Sequence, residues 1–237
     1  MPSKSSGTHC LVITGASKGI GLATATRFAN AGHRIVNLSR TATPVPGAIQ
    51  ISVDLAQPVE LEAIAAPLMS AVEGADVVTL VHNASLMIPG GVRDISASQL
   101  RALFEINVVA PMILNQMLLP QMKSGSAIIY IGSTLSHRAT RNMTAYVTTK
   151  HALVGLMRST CQDLAGTGVH TCCICPGFTE TEMVLSYGEQ ALKNLAGLST
   201  QNRLSSPSEI ADFVHFAAGQ PVLNGAVLNA DLGFIEP

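Results

Sequence analysis

Within "TAYVTTKHALVGL", residues 144–156, Tyr146 and Lys150 stand four apart, a spacing that brings two side chains onto one helical face. A phenol can deliver a proton to a developing alkoxide, but its pKa of about 10 is poorly matched to neutral pH. An ammonium a few ångströms away favours the phenolate. Lowering a phenol by about three units takes about 4 kcal/mol of differential interaction, attainable where water is largely excluded. The same pair is also common on ordinary helices, where a lysine stem lies along an aromatic ring. Its chemical meaning therefore depends on the rest of the chain.

A second chemical stretch is "TGASKGIG", with Gly15, Gly19 and Gly21, which follows the apolar run "CLVIT" and opens a helical pattern. Glycines let the backbone turn sharply and approach a pyrophosphate, and the helix N-terminus behind them offers unpaired N–H groups and a positive dipole end. The spacing is G-x3-G-x-G, not the G-x-G-x-x-G of other dinucleotide folds.

The elements that must hold these residues alternate along the chain. Strand-length apolar runs are "CLVIT", "RIVNLS", "AIQISV", "DVVTLV", "AIIYIG", "HTCCIC" and "AVLNA"; amphipathic stretches cover 19–31, 58–72, 98–122, 144–166 and 207–218. This alternation predicts βαβ units in one α/β domain over 1–237, a doubly wound parallel sheet with helices on both faces. Two places break the rhythm. Only "RTATPVPG" separates the second and third strands, too short for a crossover helix. A long excursion, about 178–205, follows "CPG" and is expected to cover the ligand as a lid, with Met183, Leu185, Tyr187 and Leu192 as its apolar content.

Composition narrows the partners. Hydrophobic residues make up 47% of the 237 and charged residues 12%, which excludes disorder and suggests surface buried by self-association. With a net charge of −1 there is no basic field for nucleic acid or an anionic membrane. The N-terminal "MPSKSSGTHC" has one lysine, Lys4, and no apolar stretch, so a secretory signal is not expected. The run "INVVAPMILNQMLLPQM" is a poor membrane span and a good buried or intersubunit helix. Cys172, Cys173 and Cys175 alternate between two faces of one strand, so they cannot converge on a metal; free buried thiols in the cytoplasm are expected.

"TGASKGIG", "HNAS" after the fourth strand and "YVTTK" before a long helix, in that order, resemble the short-chain dehydrogenase/reductase family over nearly the whole chain, and broadly its 3-oxoacyl-carrier and carbonyl reductases. The resemblance implies a single Rossmann-like domain and hydride transfer between a nicotinamide cofactor and a carbonyl/alcohol pair. It implies that Tyr146 is the general acid/base and that Lys150 tunes it and holds the nicotinamide ribose. It also implies that Ser133, thirteen residues before Tyr146, donates to the substrate oxygen, with Thr134 and Ser136 as weaker candidates. Asn107, in "FEINVVAP", matches the asparagine that kinks its helix and relays water to the lysine. For the cofactor it implies contacts from Gly15, Ser17, Lys18, Gly19, Ile20 and Gly21, from Asn83, Ala84 and Ser85, and from Pro176, Gly177, Thr179 and Thr181 around the nicotinamide. Asp54, with Leu55 after it, matches the aspartate at the adenine ring, although an Asp capping the next segment would look the same.

Cofactor choice and substrate follow from smaller cues. The second strand ends in Ser39–Arg40 where NAD-binding relatives carry an acid; serine and arginine suit a 2′-phosphate, and Lys18 adds a second cation, so NADP(H) is favoured over NAD(H). His137, Arg138 and Arg141 precede Tyr146 and suggest either a basic rim for an anionic or carrier-bound substrate, or a solvated loop. The family pattern departs at Ser85, where glycine is usual, and at "NADLGF" near the C-terminus, expected to bear on assembly more than chemistry. Relatives assemble through helices matching 98–122 and 144–166, implying a homotetramer or homodimer. The competing function, a catalytically silent dinucleotide-binding sensor or scaffold, gives no chemical reason to keep Asn107, Ser133, Tyr146 and Lys150 together.

Overall fold

The computed structural model describes residues 8–234, the side chain of Met183 excepted, so Lys4 lies outside the described residues. Seven strands form one parallel sheet: β1 (His9–Thr14), β2 (Arg34–Leu38), β3 (Ile49–Ile51), β4 (Val77–His82), β5 (Ala127–Ile131), β6 (His170–Pro176) and β7 (Ala226–Ala230), ordered 3-2-1-4-5-6-7. Each apolar run named from the sequence overlaps one of these strands, with ends that agree to within two residues. The order reverses between β1 and β4, and a crevice for ligands opens outside the carboxyl ends at such a switch point.

Helices α1 (Gly19–Asn30), α2 (Pro58–Ala63), α3 (Ala65–Val72), α4 (Ala97–Phe104), α5 (Ala110–Leu118), α6 (Thr144–Asp163), α7 (Glu182–Leu185), α8 (Glu189–Ala196) and α9 (Pro207–Ala218) complete the domain. Leu11 and Ile13 of β1 pack with Phe28 of α1 and Ile210 and Val214 of α9 on one side of the sheet. Cys10 and Val12 pack on the other side with Leu61, Leu68, Leu114 and Leu153 from α2, α3, α5 and α6. Period-two alternation also divides the cysteines: Cys172 lies on the α1/α9 side, Cys173 and Cys175 on the α6 side. All five are free, and burial pushes the Cys172 thiol up to about 12.

Prolines account for where the helices depart from the expected spans. The stretch 58–72 divides at Ile64, because Pro67 has no N–H to bond the carbonyl of Ala63 and its ring crowds that turn. The long helix 98–122 becomes α4, a π-turn at Glu105–Val109, α5 and a final 3-10 turn at Leu119–Gln121. Pro111 removes the α-helical donor to the Asn107 carbonyl, and the backbone adopts an i→i+5 bond instead, Ala110 N–H to Glu105 O. No helix links β2 to the parallel strand β3, as the short "RTATPVPG" required.

One polar chain crosses the core between β4 and α6. His82 Nε2 meets Asn115 Oδ1 at 2.8 Å; Asn115 Nδ2 donates to the Tyr130 hydroxyl at 2.7 Å, which donates to Thr160 Oγ1 at 3.3 Å. The amide direction makes Nε2 the protonated nitrogen of a neutral imidazole, and Nδ1 has no partner among the described residues. Burial lowers the His82 pKa to about 4, and burial with the nearby His9, His215 and Arg27 lowers His33 to about 4. Both lie below the ordinary histidine value, so the unfolded chain binds more protons between pH 6.5 and 4. Stability is thus fully present above pH 6.5 and declines as pH falls through that window, by about 3 kcal/mol for His82. Thermal melts should be flat from pH 8 to 7 and fall steeply from 6.5 to 5. His82→Gln, whose amide can donate to the same Asn115 oxygen, should flatten that slope; an unchanged slope would count against His82 as its source.

Candidate active site

The glycine loop is tied down by the ends of three strands. Gly15 and Gly19 adopt φ of 72° and 56°, which a side chain would strain, and a Cβ on Gly21 would run into the Gly15 carbonyl and Asn83 Nδ2. Thr14 Oγ1 accepts the N–H groups of Asn83 and Ala84 at 3.0 and 2.9 Å, while Asn83 Nδ2 donates to the Thr14 and Gly15 carbonyls. Asn83, expected at the cofactor, thereby also fastens β4 to the loop. From β2, Asn37 Oδ1 accepts the Ala16 N–H at 2.9 Å. Helix α1 has no side-chain cap and no acid in its first turn, so its leading N–H groups and positive dipole end have no protein partner of that kind.

Across the crevice stands the helix that opens with Tyr146. Lys150 is 2% exposed; its ammonium donates to the Ile131 carbonyl at the end of β5 at 2.8 Å and lies 5.5 Å from the Tyr146 ring centroid. Among the described residues no carboxylate lies within salt-bridge distance of it. A buried ammonium with one protein acceptor has capacity for further hydroxyl partners. Ser133 caps the 3-10 turn Thr134–Ser136: its Oγ accepts the Leu135 N–H at 3.1 Å, so the hydroxyl hydrogen can point into the crevice. Ser136 is used differently, its Oγ accepting the Ser133 N–H at 3.1 Å. Ser133, Tyr146 and Lys150 all line one cleft of about 580 Å³.

Asn107 lies behind them, outside the cleft lining. Its Oδ1 accepts from Leu86 N–H at 2.7 Å and Ser85 Oγ at 3.1 Å, and its Nδ2 donates to Leu86 O at 2.9 Å and Thr149 Oγ1 at 3.0 Å. Thr149 in turn donates to the Tyr146 carbonyl at 2.9 Å. Here the serine that replaces the usual glycine has a structural use: Ser85 gives Asn107 an extra donor, and through Asn107 it joins the β4 loop to α6.

Gly15, Lys18, Gly19, Ile20, Gly21, Asn83, Ala84 and Ser85 form one side of the cleft, and Pro176, Gly177, Thr179 and Thr181 another. Gly177 is pressed against Asp231, where a Cβ would collide with its backbone, and Thr179 Oγ1 closes a turn on the Gly177 carbonyl at 3.1 Å. Ser17, Ser39, Arg40, Asp54 and Leu55 are not in this lining. Arg40 is solvent-exposed with NH1 3.8 Å from Asp54 Oδ2, while Asp54 Oδ1 accepts the Ala56 N–H at 3.0 Å in a local turn; the helix that follows is capped at Gln57, not by Asp54. Lys18 reaches away from this end to Glu182 at 2.9 Å, joining the glycine loop to α7.

The remaining wall is apolar: Met87, Leu135, Met143, Phe178, Tyr187 and Phe234 among others. Of the lid residues named from sequence, Tyr187 lines the cleft and Leu185 does not, and both are half exposed. His137 and Arg141 are exposed, but Arg138 turns inward, its guanidinium 3.9 Å over the Phe234 ring and 4.0 Å from Asp231 Oδ2. The stretch "NADLGF", expected to bear on assembly, also reaches the site: Phe234 lines the cleft, and Asp231 meets Gly177 and Arg138 behind it. Asp231 also caps Gly233 at 3.1 Å, which turns Phe234 inward. Sequence reasoning missed Thr14, Asn37, Thr149 and Phe234; a polar residue inside an apolar strand was the available signal for Asn37.

Residues 9–192 match the model of the short chain dehydrogenase family. The chain is 30% identical to 2-(R)-hydroxypropyl-CoM dehydrogenase of Xanthobacter autotrophicus, covering 93% of this chain and 96% of that one. It is 25% identical to carbonyl reductase family member 4 of Xenopus tropicalis, covering 95% and 98%. Among solved structures, a blue fluorescent protein from a metagenomic library in complex with NADPH superposes with a TM-score of 0.85 at 28% identity, covering 96% and 98%. A sheet, a glycine loop and a tyrosine–lysine helix assembled in this way, on a chain matched over most of its length, make the protein an oxidoreductase of the short-chain dehydrogenase/reductase family.

Proposed function

We propose that the protein is an NADP(H)-dependent reductase or dehydrogenase that interconverts a carbonyl and a secondary alcohol. The observation that carries this reading is the buried Lys150 ammonium beside Tyr146, at the floor of the cleft that the glycine loop borders. The residues fit a nicotinamide dinucleotide: an uncapped helix N-terminus for the pyrophosphate, a glycine cradle that a Cβ would fill, and a buried ammonium ready to take ribose hydroxyls. The cofactor, when bound, supplies or accepts the hydride. Pro176, Gly177, Thr179 and Thr181 hold its carboxamide end in this reading, and Ser39, Arg40 and Asp54 its adenosine end.

In the reductive direction the Ser133 hydroxyl donates to the substrate carbonyl oxygen and fixes it near Tyr146. The Tyr146 hydroxyl transfers its proton to that oxygen as charge develops there, and Lys150 stabilises the phenolate left behind. Asn107 holds the helix through Thr149, keeping the Tyr146 turn in register with β5. The apolar wall with one inward arginine, Arg138, suits a medium-sized carbonyl compound, free or carrier-bound. Five free thiols accord with a cytoplasmic enzyme.

Tyr146→Phe should lower kcat on the order of 10³-fold while leaving NADPH affinity within about threefold, since only the proton donor is removed; wild-type turnover would overturn the mechanism. Arg40→Asp should weaken NADPH about tenfold or more, a loss of about 1.4 kcal/mol, and leave NADH nearly unchanged; equal losses would refute the 2′-phosphate reading. The α4–α5 region is uncharged from Ile106 to Met122 and leaves Met112 half exposed, so we place a homotetramer contact there and along α6. Light scattering at micromolar concentration should give four times the chain mass, and a monomer would exclude it.

A further inference from the structure

Asn37 stands near the carboxyl end of β2, between β1 and the edge strand β3, fully buried, where its neighbours Val36 and Leu38 are apolar core. An amide there is expensive unless every polar atom is paired, and this one is. Its Oδ1 accepts the Ala16 N–H of the glycine loop at 2.9 Å. Its Nδ2 donates to Gln50 Oε1 at 2.7 Å and Ser39 Oγ at 2.9 Å, with the Thr41 carbonyl at 3.3 Å. Gln50, paired with Asn37 in the β2–β3 register, returns its own Nε2 to the Ser39 carbonyl at 2.8 Å. Ser39 Oγ then donates to the Thr41 carbonyl at 2.6 Å.

Among the described residues Asn37 is the only side chain hydrogen-bonded both to the glycine loop and to the 39–41 turn. That turn belongs to the crossover without a helix, so no packed helix fixes its path from β2 to β3, and the Asn37–Gln50 amide pair takes over that task. We propose that Asn37 is a positioning residue that locks the pyrophosphate loop and the 2′-phosphate-facing turn into one geometry, so that it sets dinucleotide affinity and the discrimination of NADP(H) from NAD(H). The proposal rests on the NADP(H) reading given above. An apolar residue at this position would leave the Ala16 N–H and Gln50 Oε1 without these partners and loosen the turn that carries Arg40.

The test uses the purified full-length enzyme with a ketone substrate that it reduces. Asn37→Val keeps a strand-forming side chain and removes all of the bonds. It should raise KM for NADPH at least about tenfold and KM for NADH by a smaller factor, with kcat at saturating NADPH within about twofold. Gln50→Leu, which leaves the Ala16 bond intact, should move both constants in the same direction by less, and it decides the matter if Asn37→Val does not fold. Unchanged KM for NADPH in a folded variant, a fall in kcat in its place, or an equal rise for both dinucleotides would each overturn the proposal. The underlying cofactor reading fails separately, through an Arg40→Asp variant that keeps its NADPH to NADH ratio.

Discussion

Burying an ammonium costs several kcal/mol unless oxygen acceptors surround it, and the position of Lys150 makes that demand on the rest of the fold. The acceptor at hand is the Ile131 carbonyl at the end of β5, which the sheet leaves exposed where the strand runs out. Meeting it requires α6 to lie across the carboxyl ends of the strands at one rotation and height. Leu153, Val154 and Met157, one and two turns on, supply the apolar face that holds the helix there. Tyr146, one turn earlier, is thereby aimed into the cleft, because residues four apart share a face. The Tyr146–Lys150 pair is thus a consequence of how one helix is seated.

Seating α6 engages the neighbouring helix. The π-turn at Glu105–Val109 brings Asn107 to face both Leu86 and Thr149, so that a single amide spans the β4 loop, the α4–α5 helix and α6. Pro111 withdraws a helical donor, Asn107 spends its side chain on neighbours, and Ser85 adds a donor where a glycine would add none. Each of these features departs from local regularity, and together they form one contiguous hydrogen-bonded unit. Strain and polarity inside a helix are retained where they position something else.

Much of this was legible in the sequence, for identifiable reasons. Strand and helix periodicity depends on which face meets the core, and every strand of the sheet is buried enough to show it. Tyr146, Lys150, Ser133 and the glycine loop are marked by spacing, since each is constrained by the backbone geometry around a single crevice. Long-range partners are not legible in the same way. Nothing near "NADLGF" announces that Phe234 folds back under Arg138, and Ser199 and Thr200 complete that return from the lid. Asn37 was visible as a polar interruption in "RIVNLS", but its partners Ala16 and Gln50 come from other strands. Sequence spacing reports what one element must do, whereas these contacts are settled only when elements meet.

The two ends of the cleft are therefore built on different principles. At the end near Tyr146, groups with few protein partners stand ready, Lys150 on one carbonyl and Ser133 with a donor to spare, with the uncapped α1 across from them. At the end near β2 the protein satisfies itself, with Asn37, Ser39, Thr41 and Gln50 closed into one network and Arg40 left in solvent. A site with unspent buried donors binds by completing them, and its affinity resides in those few groups. A site of satisfied backbone topped by an exposed cation binds by shape and charge, and its affinity resides in holding the shape. Under the proposed function, chemistry at the first end depends on Tyr146 and Lys150 directly, while recognition at the second depends on residues that need not touch the ligand.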